Sequence, residues 1–339
     1  MGLSRPQWWS IPSCLLGMLA VLVVRKAYIA EDVMYQVRAY RDQVSQETIV
    51  ASAAFKQLVV ELRKRNKPPA LFFLNQHALN MTYNFLCNTA EYENVHDRFI
   101  FITLDSTARD SLRKAWPNIA QFYWPTPCLT KPFNFADALY QTIYILRANL
   151  AVLLAERGFS FWMMQQDTFW HNDLFAHNLE QLDDSSDMLF DQLGDENQNN
   201  LRTGWINGAN FFVKASQRTV DFINATANLL QSQYVPDVGV MTMLCHTWGG
   251  ERINCSYIPH RIANCWEWMF TDQSWPPTIM QMDAETDAGG KLNELAKIGF
   301  YFLNDDRKTC NSSAVSLARH RMSTGQVKVN SKTCRSLER

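Results

Sequence analysis

The sequence predicts an α/β protein: a three-layer sandwich with a mixed, mostly parallel central sheet, preceded by a transmembrane helix and a helical stem. Three patterns support this prediction. Short apolar strands alternate with helical stretches beyond residue 66, an apolar stretch lies near the N-terminus, and a segment without proline or glycine joins the two. Strands that alternate with helices pair in parallel, and ligands then bind where the strands end.

Length and charge narrow the class of protein. The chain has 339 residues, 47% of them hydrophobic, which is enough to bury a full core. Its formal net charge is −1, with acidic and basic residues mixed along the chain. No surface-wide positive field is available to bind a polyanion, so a nucleic-acid partner is not expected.

An apolar stretch at 11–24 predicts a signal anchor. Trp8 and Trp9 precede it, and Arg25 and Lys26 follow it directly. Counted from Trp8 the segment has about 17 residues, the lower limit for a membrane-spanning helix, and the tryptophans would lie at the headgroups. We assign 1–7 to a cytoplasmic tail and 8–24 to the anchor. A cleaved signal peptide is the alternative, but it would place Tyr28 where a small residue is needed.

Two further patterns place the rest of the chain in the secretory pathway. Four Asn-X-Ser/Thr triplets begin at Asn80, Asn224, Asn254 and Asn311, and such triplets are glycosylated only in luminal or extracellular chain. Seven cysteines follow the anchor with wide spacing and no CxxC pair. This spacing favours a few disulfides in an oxidising compartment, with an odd thiol left over. Buried free thiols in a cytosolic protein are the alternative.

Residues 25–65 are predicted to form a helical stem. Val33, Val37, Tyr40 and Val44 recur at helical spacing, as do residues further along the segment. Such a stripe could pair with a second copy and give a homodimer, or it could pack on its own domain. The two prolines of Lys67-Pro-Pro69 mark a boundary. We therefore place the main domain at 66–311 and a C-terminal tail at 312–339.

Within the domain, apolar runs predict strands at 71–74, 99–104, 121–124 and 159–164. Helices are predicted at 81–93, 110–115 and 135–156, the last ended by Gly158. The strand at 159–164 is the most apolar of these. It runs directly into Gln165-Gln166-Asp167.

The carboxylate of Asp167 at the end of a buried strand needs a partner, because burying an unpaired charge is costly. A divalent cation that holds a diphosphate is one such partner, since hard oxygen ligands suit Mg²⁺ or Mn²⁺. The alternative is a carboxylate that caps the following helix.

Here the chain resembles the nucleotide-diphospho-sugar transferase family, which has a GT-A fold and carries Asp-x-Asp with a Trp three positions beyond the second Asp. Asp167 and Trp170 match this pattern. The resemblance runs from about residue 70 to 265 and includes Leu71-Phe-Phe-Leu-Asn75, Thr103-Leu-Asp105, Trp205-Ile-Asn207-Gly208-Ala-Asn210 and Asp237-Val-Gly-Val-Met241. One position departs from it: the first acid of the motif is Gln165.

The resemblance implies a site that holds a nucleotide sugar and Mn²⁺. Asp167 would bind the metal, with His260 as a further ligand and His246 as the alternative. Gln165 would hydrogen-bond a sugar hydroxyl through its amide. With one acid fewer, metal binding would be weaker, and metal-independent action or loss of activity are further possibilities.

The remaining site residues are also assigned by the resemblance. Arg147 would contact the diphosphate and Asn75 would help to bind the donor. Asn207 would hydrogen-bond the transferred sugar or the acceptor, and Asp237 would orient the acceptor or take its proton. Plain structural roles are the alternatives: a solvated helix residue for Arg147, a turn residue for Asn207 and a helix cap for Asp237.

Together these features predict a type II Golgi membrane protein with a luminal glycosyltransferase domain. It would move a sugar from a nucleotide-diphosphate donor, a UDP-sugar, to a hydroxyl of a glycan or glycoprotein. The alternative is a catalytically inactive, membrane-tethered sugar-binding or scaffolding protein with the same fold, as Gln165 would suggest.

Overall fold

The computed structural model describes residues 10–132, 134, 136–182, 185–194, 205–282 and 290–328. Side chains are described from residue 15 onwards within these ranges, except that of residue 182. The predicted cytoplasmic tail at 1–7, the tryptophan pair before the apolar stretch, and residues 329–339 of the predicted C-terminal tail lie outside the described residues.

Eleven α-helices and ten strands lie in the described ranges. The helices are α1 (Ser10–Tyr40), α2 (Gln46–Ala51), α3 (Ala53–Leu62), α4 (Leu79–Thr89), α5 (Ser106–Ala115), α6 (Ala138–Ala155), α7 (Leu179–Leu182), α8 (Gln217–Ser232), α9 (Asp237–Arg252), α10 (Gly290–Lys297) and α11 (Ser312–Ser323). The strands are β1 (Ala70–Leu74), β2 (Phe99–Thr103), β3 (Ala120–Tyr123), β4 (Phe161–Met163), β5 (Thr168–Trp170), β6 (Met188–Gln192), β7 (Ile206–Val213), β8 (Cys255–Tyr257), β9 (Ala263–Cys265) and β10 (Ile279–Gln281).

The main sheet has seven strands in the order β3-β2-β1-β4-β7-β6-β8. Four neighbouring pairs are parallel: β1 with β2, β1 with β4, β2 with β3, and β6 with β8. Strand β7 is antiparallel to both of its neighbours, β4 and β6. The predicted mixed, mostly parallel sheet is therefore confirmed.

The sheet separates two hydrophobic cores, which makes three layers. Side chains alternate between the faces of a strand, and β1 shows the division: Leu71 belongs to the core on one side, and Phe72 to the core on the other. The first core packs against α6, α8 and α9, and the second against α4, α5 and the C-terminal segment.

A second sheet of three short strands, which the sequence did not predict, packs in the second core. Its order is β5-β10-β9, with β10 antiparallel to β5 and parallel to β9. In this register Gln281 lies opposite Thr168, and the backbone N–H of Met282 donates to the carbonyl of Asp167 over 2.8 Å. The second sheet thus fixes the backbone on both sides of the acidic motif.

The segment predicted as a stem packs on its own domain, as in the second of the two alternatives. Val33, Val37 and Val44 are buried in the first core, as are Phe55 and Leu58 further along. The domain therefore begins well before residue 66. The apolar stripe that suggested a homodimer is covered by α6 and α8 of the same chain.

The N-terminal part of α1 differs from the rest of that helix. Its large apolar side chains are exposed: Leu15, Leu16, Met18, Leu19, Val21, Leu22, Val23 and Val24. Within the described residues, the one helix that meets the length and hydropathy criteria for a membrane span is α6, and 89% of it is buried. Helix α6 is accordingly a core helix, which α1, α2 and α8 cover.

Two disulfides confirm the expectation drawn from the cysteine spacing. Cys87 of α4 pairs with Cys310, and Cys245 of α9 pairs with Cys255 of β8. Cys128 is a buried free thiol. The first disulfide lies next to α11, whose Val315, Ala318 and Met322 are buried in the second core. The domain therefore continues past residue 311, where the sequence analysis placed its end.

Candidate functional site

The acidic motif lies between the C-terminal end of β4 and β5, at the edge of the main sheet where ligands of such folds bind. Asp167 is 8% exposed. Its Oδ2 atom accepts from the Lys291 ammonium at 2.5 Å and from the Gln281 amide at 3.3 Å. The buried carboxylate thus has a charged partner supplied by α10, which lies 124 residues further along the chain.

Gln165 connects this carboxylate to Arg147. In the orientation that satisfies both polar atoms, its amide nitrogen donates to Asp167 Oδ1 at 3.3 Å and its oxygen accepts from Arg147 Nη1 at 3.3 Å. The neighbouring Gln166 faces elsewhere, since its amide donates to the backbone carbonyl of Phe73 in β1. Only the first glutamine of the motif is therefore part of the network.

Arg147 lies in the middle of α6 and is 7% exposed. Its Nη1 donates to Asp237 Oδ2 over 3.5 Å, and its Nη2 donates to the carbonyl of Gly208 over 3.2 Å. Asp237 is the first residue of α9, where the helix dipole favours a carboxylate. The guanidinium is thus held between Asp237 at the start of α9 and Gly208 in β7, the two segments that were predicted to bind the acceptor.

Asp191 forms the centre of a second group of hydrogen bonds. It lies where the pairing of β6 with β7 changes register, between Phe190 and Gln192. Its carboxylate accepts from the backbone N–H groups of Gly208 (2.9 Å) and Asn210 (2.8 Å). The Asn210 amide donates to it as well, at 3.2 Å. A carboxylate with this many N–H partners is well stabilised although it is 2% exposed.

Asn207 joins the two groups. Its amide nitrogen donates to Gln281 Oε1 at 3.2 Å and lies 3.5 Å from Asp191 Oδ2. Gly208 follows with a φ of 72°, and a Cβ there would lie 2.5 Å from Val238 Cγ1. Glycine is required at this position by both backbone conformation and space.

Two tyrosines of α6 lie near the charged side chains of this network. The Tyr140 and Tyr144 rings meet edge to face with centroids 4.7 Å apart. Burial raises the pKa of Tyr140, with a smaller lowering from Lys291 and smaller raising effects from Asp167 and Asp237. Burial, followed by the Asp237 carboxylate, raises the pKa of Tyr144 far above its ordinary value. Both phenols are neutral donors at physiological pH.

Five of the seven predicted site residues therefore belong to one connected network: Gln165, Asp167, Arg147, Asn207 and Asp237. The other two have different surroundings. The Asn75 side chain fixes the backbone of a neighbouring loop, since its amide donates to the carbonyls of Leu129 and Lys131. His260 is 4% exposed, and its Nε2 lies 3.3 Å from the carbonyl of Leu193.

Three members of the network were not found from the sequence: Lys291, Gln281 and Asp191. Lys291 follows a Gly-Gly pair, and Gln281 ends a strand of three residues, which is too short to show alternation. Asp191 ends the apolar run Met188-Leu-Phe190 much as Asp167 ends its strand. That similarity is the one signal that could have identified it.

The described residues around Asp167 do not fit a divalent cation. Within the described ranges, the side-chain groups that contact its carboxylate are three N–H donors, one of them an ammonium, whereas Mn²⁺ needs several oxygen or imidazole ligands. Across the described ranges, no group of three or more His, Cys, Asp or Glu side chains is placed to hold a metal.

A surface groove of about 540 Å³ lies elsewhere, between α3 and the edge strand β3. Its lining is Lys56, Gln57, Val60, Glu61, Lys64, Ala120, Gln121 and Phe122. None of the predicted site residues lines it. The network at the end of β4, with its buried charges and convergent amides, is the candidate site.

Comparison with known proteins identifies the class that this fold and site belong to. The family of nucleotide-diphospho-sugar transferases matches residues 94–295, a range that contains the acidic motif, Arg147, Asn207 and Asp237. The chain belongs to this family, whose members are glycosyltransferases and often use a divalent metal. The α/β fold with a mixed central sheet agrees with the GT-A fold expected of such enzymes.

Solved structures resemble the chain only distantly. The glycosyltransferase GlyE of Streptococcus pneumoniae TIGR4 has a TM-score of 0.45 and 11% identity, over 79% of this chain and 66% of that one. The galactosyltransferase LgtC has a TM-score of 0.41 and 11% identity, over 79% of this chain and all of that one. Mouse xyloside xylosyltransferase 1 has a TM-score of 0.43 and 6% identity, over 65% of this chain and 99% of that one.

These similarities are too low to transfer the role of any residue. The matched region spans 46% of the length of a fourth protein, the bifunctional glycosyltransferase WbbM. No curated protein matches the chain.

Proposed function

We propose that this glycosyltransferase moves a sugar from a UDP-sugar to a hydroxyl of a glycan or glycoprotein in the Golgi lumen, as a type II membrane protein. The observation that carries the proposal is the network in which Gln165 bridges Asp167 and Arg147 at the C-terminal end of β4. This is where a fold of this class binds a nucleotide, and the network lies inside the segment that matches the family.

The reaction requires that charge on the leaving group be stabilised. An oxygen of the acceptor hydroxyl bonds to the anomeric carbon, and the bond from that carbon to the β-phosphate oxygen breaks. The electron pair remains on the phosphate oxygen, and the hydroxyl proton passes to a base. Fixed cationic groups stabilise the charge that develops on the departing diphosphate. Arg147, held by Asp237 and Gly208, is one such group.

The acceptor side is assigned to Asn207 and Asp237. The Asn207 amide is held between Gln281 and Asp191, so that its orientation is fixed. Asp237 faces Arg147 with one carboxylate oxygen, while the other accepts from the N–H of Val238 at 2.9 Å. This arrangement suits orientation of the acceptor better than removal of its proton, because both carboxylate oxygens already accept hydrogen bonds.

Three features support the luminal, membrane-anchored setting. The N-terminal turns of α1 expose a run of large apolar side chains from Leu15 to Val24, which a bilayer would cover. Asn80 and Asn224, each in a glycosylation triplet, are exposed. The disulfides suit an oxidising compartment.

Release of UDP by the detergent-solubilised full-length chain tests the proposed reaction. The donors are UDP-glucose, UDP-galactose, UDP-xylose and UDP-N-acetylglucosamine, with GDP-mannose as the comparison, each with and without a mixture of glycan acceptors. We expect acceptor-dependent release from at least one UDP-sugar. Gln165→Ala removes the bridge between Asp167 and Arg147 and should lower kcat/KM about tenfold or more. Gln166→Ala is the matched control, since that amide bonds the backbone of β1.

The alternative function is a sugar-binding or scaffolding protein that has lost turnover. Two observations favour keeping it as a second candidate: Gln165 in place of an acid, and the ammonium on Asp167. Binding of a nucleotide sugar without release of nucleotide from any donor would support this alternative and contradict the enzymatic proposal.

A further inference from the structure

Lys291 contacts Asp167, the carboxylate to which the family resemblance assigns a metal. Its Nζ lies 2.5 Å from Asp167 Oδ2, so the two groups are in direct, charge-assisted contact. Gln281 donates to the same oxygen and Gln165 to the other, so both carboxylate oxygens accept hydrogen bonds. A positively charged group is therefore present at the carboxylate without any metal.

The exposures of the two partners show which one faces the solvent. The side chain of Lys291 is 31% exposed and that of Asp167 is 10% exposed. The ammonium thus lies on the outer side of the pair, between the carboxylate and the solvent. An ammonium has three N–H donors, so it can contact Asp167 and an oxygen of a bound diphosphate together.

Two cationic side chains of the described network each contact a carboxylate. Arg147 is paired with Asp237, and Lys291 with Asp167. Tyr140 lies within electrostatic reach of Lys291 and of both carboxylates. Lys291 is also in the first turn of α10, whose N-terminal end adds positive potential.

We propose that the Lys291 ammonium, held on Asp167, replaces the divalent cation, so that the chain binds the diphosphate of its donor without a metal. This inference rests on the proposed function, because it assumes that the donor is a nucleoside diphosphate sugar. As the bond to the anomeric carbon breaks, the new charge on the diphosphate is stabilised by the ammonium, whose proton stays on nitrogen. Asp167 acts as the positioning residue that holds Lys291 in place.

Binding of UDP, GDP and ADP to the full-length chain, measured by calorimetry in EDTA and then in Mn²⁺, tests the inference. We expect UDP to bind in EDTA with a Kd within about twofold of that in Mn²⁺. Titration of free Mn²⁺ followed by electron paramagnetic resonance should show no loss of the free-ion signal on adding the protein. UDP binding that appears only with Mn²⁺ would overturn the inference.

Lys291→Met should weaken UDP binding at least tenfold in EDTA, and Lys291→Arg should restore most of it. Lys297→Met is the matched control, since Lys297 lies in the same helix and pairs with Glu294 at the same distance of 2.5 Å. Thermal unfolding of each variant separates loss of binding from loss of folding. Equal UDP affinity in folded Lys291→Met and wild type would overturn the inference.

The outcomes distinguish this inference from the proposed function. UDP-sugar turnover that requires Mn²⁺ would leave the proposed function standing and overturn the role of Lys291. If no nucleoside diphosphate binds in either condition, both fail. Turnover in EDTA that Lys291→Met abolishes and Lys297→Met preserves would support both.

Discussion

Arg147 and Asp237, 90 residues apart in the sequence, form a buried ion pair with an N–O distance of 3.5 Å and side chains that are each 8% exposed. The pair ties the middle of α6 to the start of α9. A second bond from the same guanidinium to the carbonyl of Gly208 ties in β7. Three elements of the candidate site are therefore positioned by one side chain.

Breaking this pair from either side should destabilise the protein. Arg147→Met and Asp237→Asn each remove one member of this buried ion pair, which costs about 3–5 kcal/mol of unfolding free energy. The double variant should lose clearly less than the sum of the two, because neither charge remains. Urea denaturation of all four proteins measures the coupling, and strictly additive losses would contradict it.

Asp191→Asn should also destabilise the protein. The carboxylate accepts from Gly208 N, Asn210 N and the Asn210 amide, and an amide NH₂ in its place would face these donors. We expect a loss of about 2–4 kcal/mol in urea denaturation. Asp221→Asn is the control, since that side chain is exposed on α8. A change at Asp191 no larger than the control would show that its hydrogen bonds add nothing to stability.

The two disulfides should differ in their contribution to stability. Cys87 and Cys310 are 223 residues apart, whereas Cys245 and Cys255 are 10 apart. Closing the longer loop removes more entropy from the unfolded chain, so the Ser/Ser variant of the Cys87–Cys310 pair should lose about 2–3 kcal/mol more than that of the shorter pair. Denaturation of the two double variants measures the difference. A larger loss for the shorter loop would show that native-state packing, not loop length, decides it.

Acid should destabilise the protein through His96. Burial lowers the pKa of this histidine from 6.5 to about 4, and its Nε2 lies 2.9 Å from the Thr89 hydroxyl, whose O–H donates to the carbonyl of Phe85. The unfolded chain takes up a proton near pH 6.5 and the folded protein does not, so stability is full above pH 6.5 and falls towards pH 4.

By pH 4.5 this single group should account for a loss of about 2–3 kcal/mol. His96→Gln keeps a hydrogen-bonding side chain without the titration and should reduce the difference in unfolding free energy between pH 7.5 and pH 4.5 by that amount. The same change at the exposed His246 is the control. An unchanged pH dependence in His96→Gln would assign the acid sensitivity to other groups.

The strands and helices that the sequence predicted well are those with clear patterns. Strand β1 and helix α6 are apolar enough, and bounded by turn residues clearly enough, to be assigned within a few residues. The small sheet was missed because each of its strands has three residues, as in Ile279–Gln281, and its pairing is nonlocal. Helix α11 was taken as a tail because its buried residues Val315, Ala318 and Met322 form a narrow stripe in a polar segment.

For the site, the sequence identified residues whose chemical type is unusual for their position in the chain. It missed residues that reach the site only when distant parts of the chain come together. Asp167 stood out because a carboxylate ends a buried strand. Its partner Lys291 did not, because a lysine after two glycines has no distinctive pattern, and it reaches Asp167 only when the chain folds back over a separation of 124 residues. A further metal ligand was expected at His260, whose Nε2 lies 3.3 Å from the carbonyl of Leu193.

Helix α1 runs unbroken from Ser10 to Tyr40, with exposed apolar side chains in its first turns and Val33 and Val37 fixed in the core. A flexible tether would let a domain turn freely, but a helix of 31 residues is a strut about 46 Å long. A surface that binds the N-terminal end of this helix therefore also sets the tilt of the whole domain. The mouth of the candidate site would face a constant direction at a constant height, which limits the acceptors it can reach to those presented from that side.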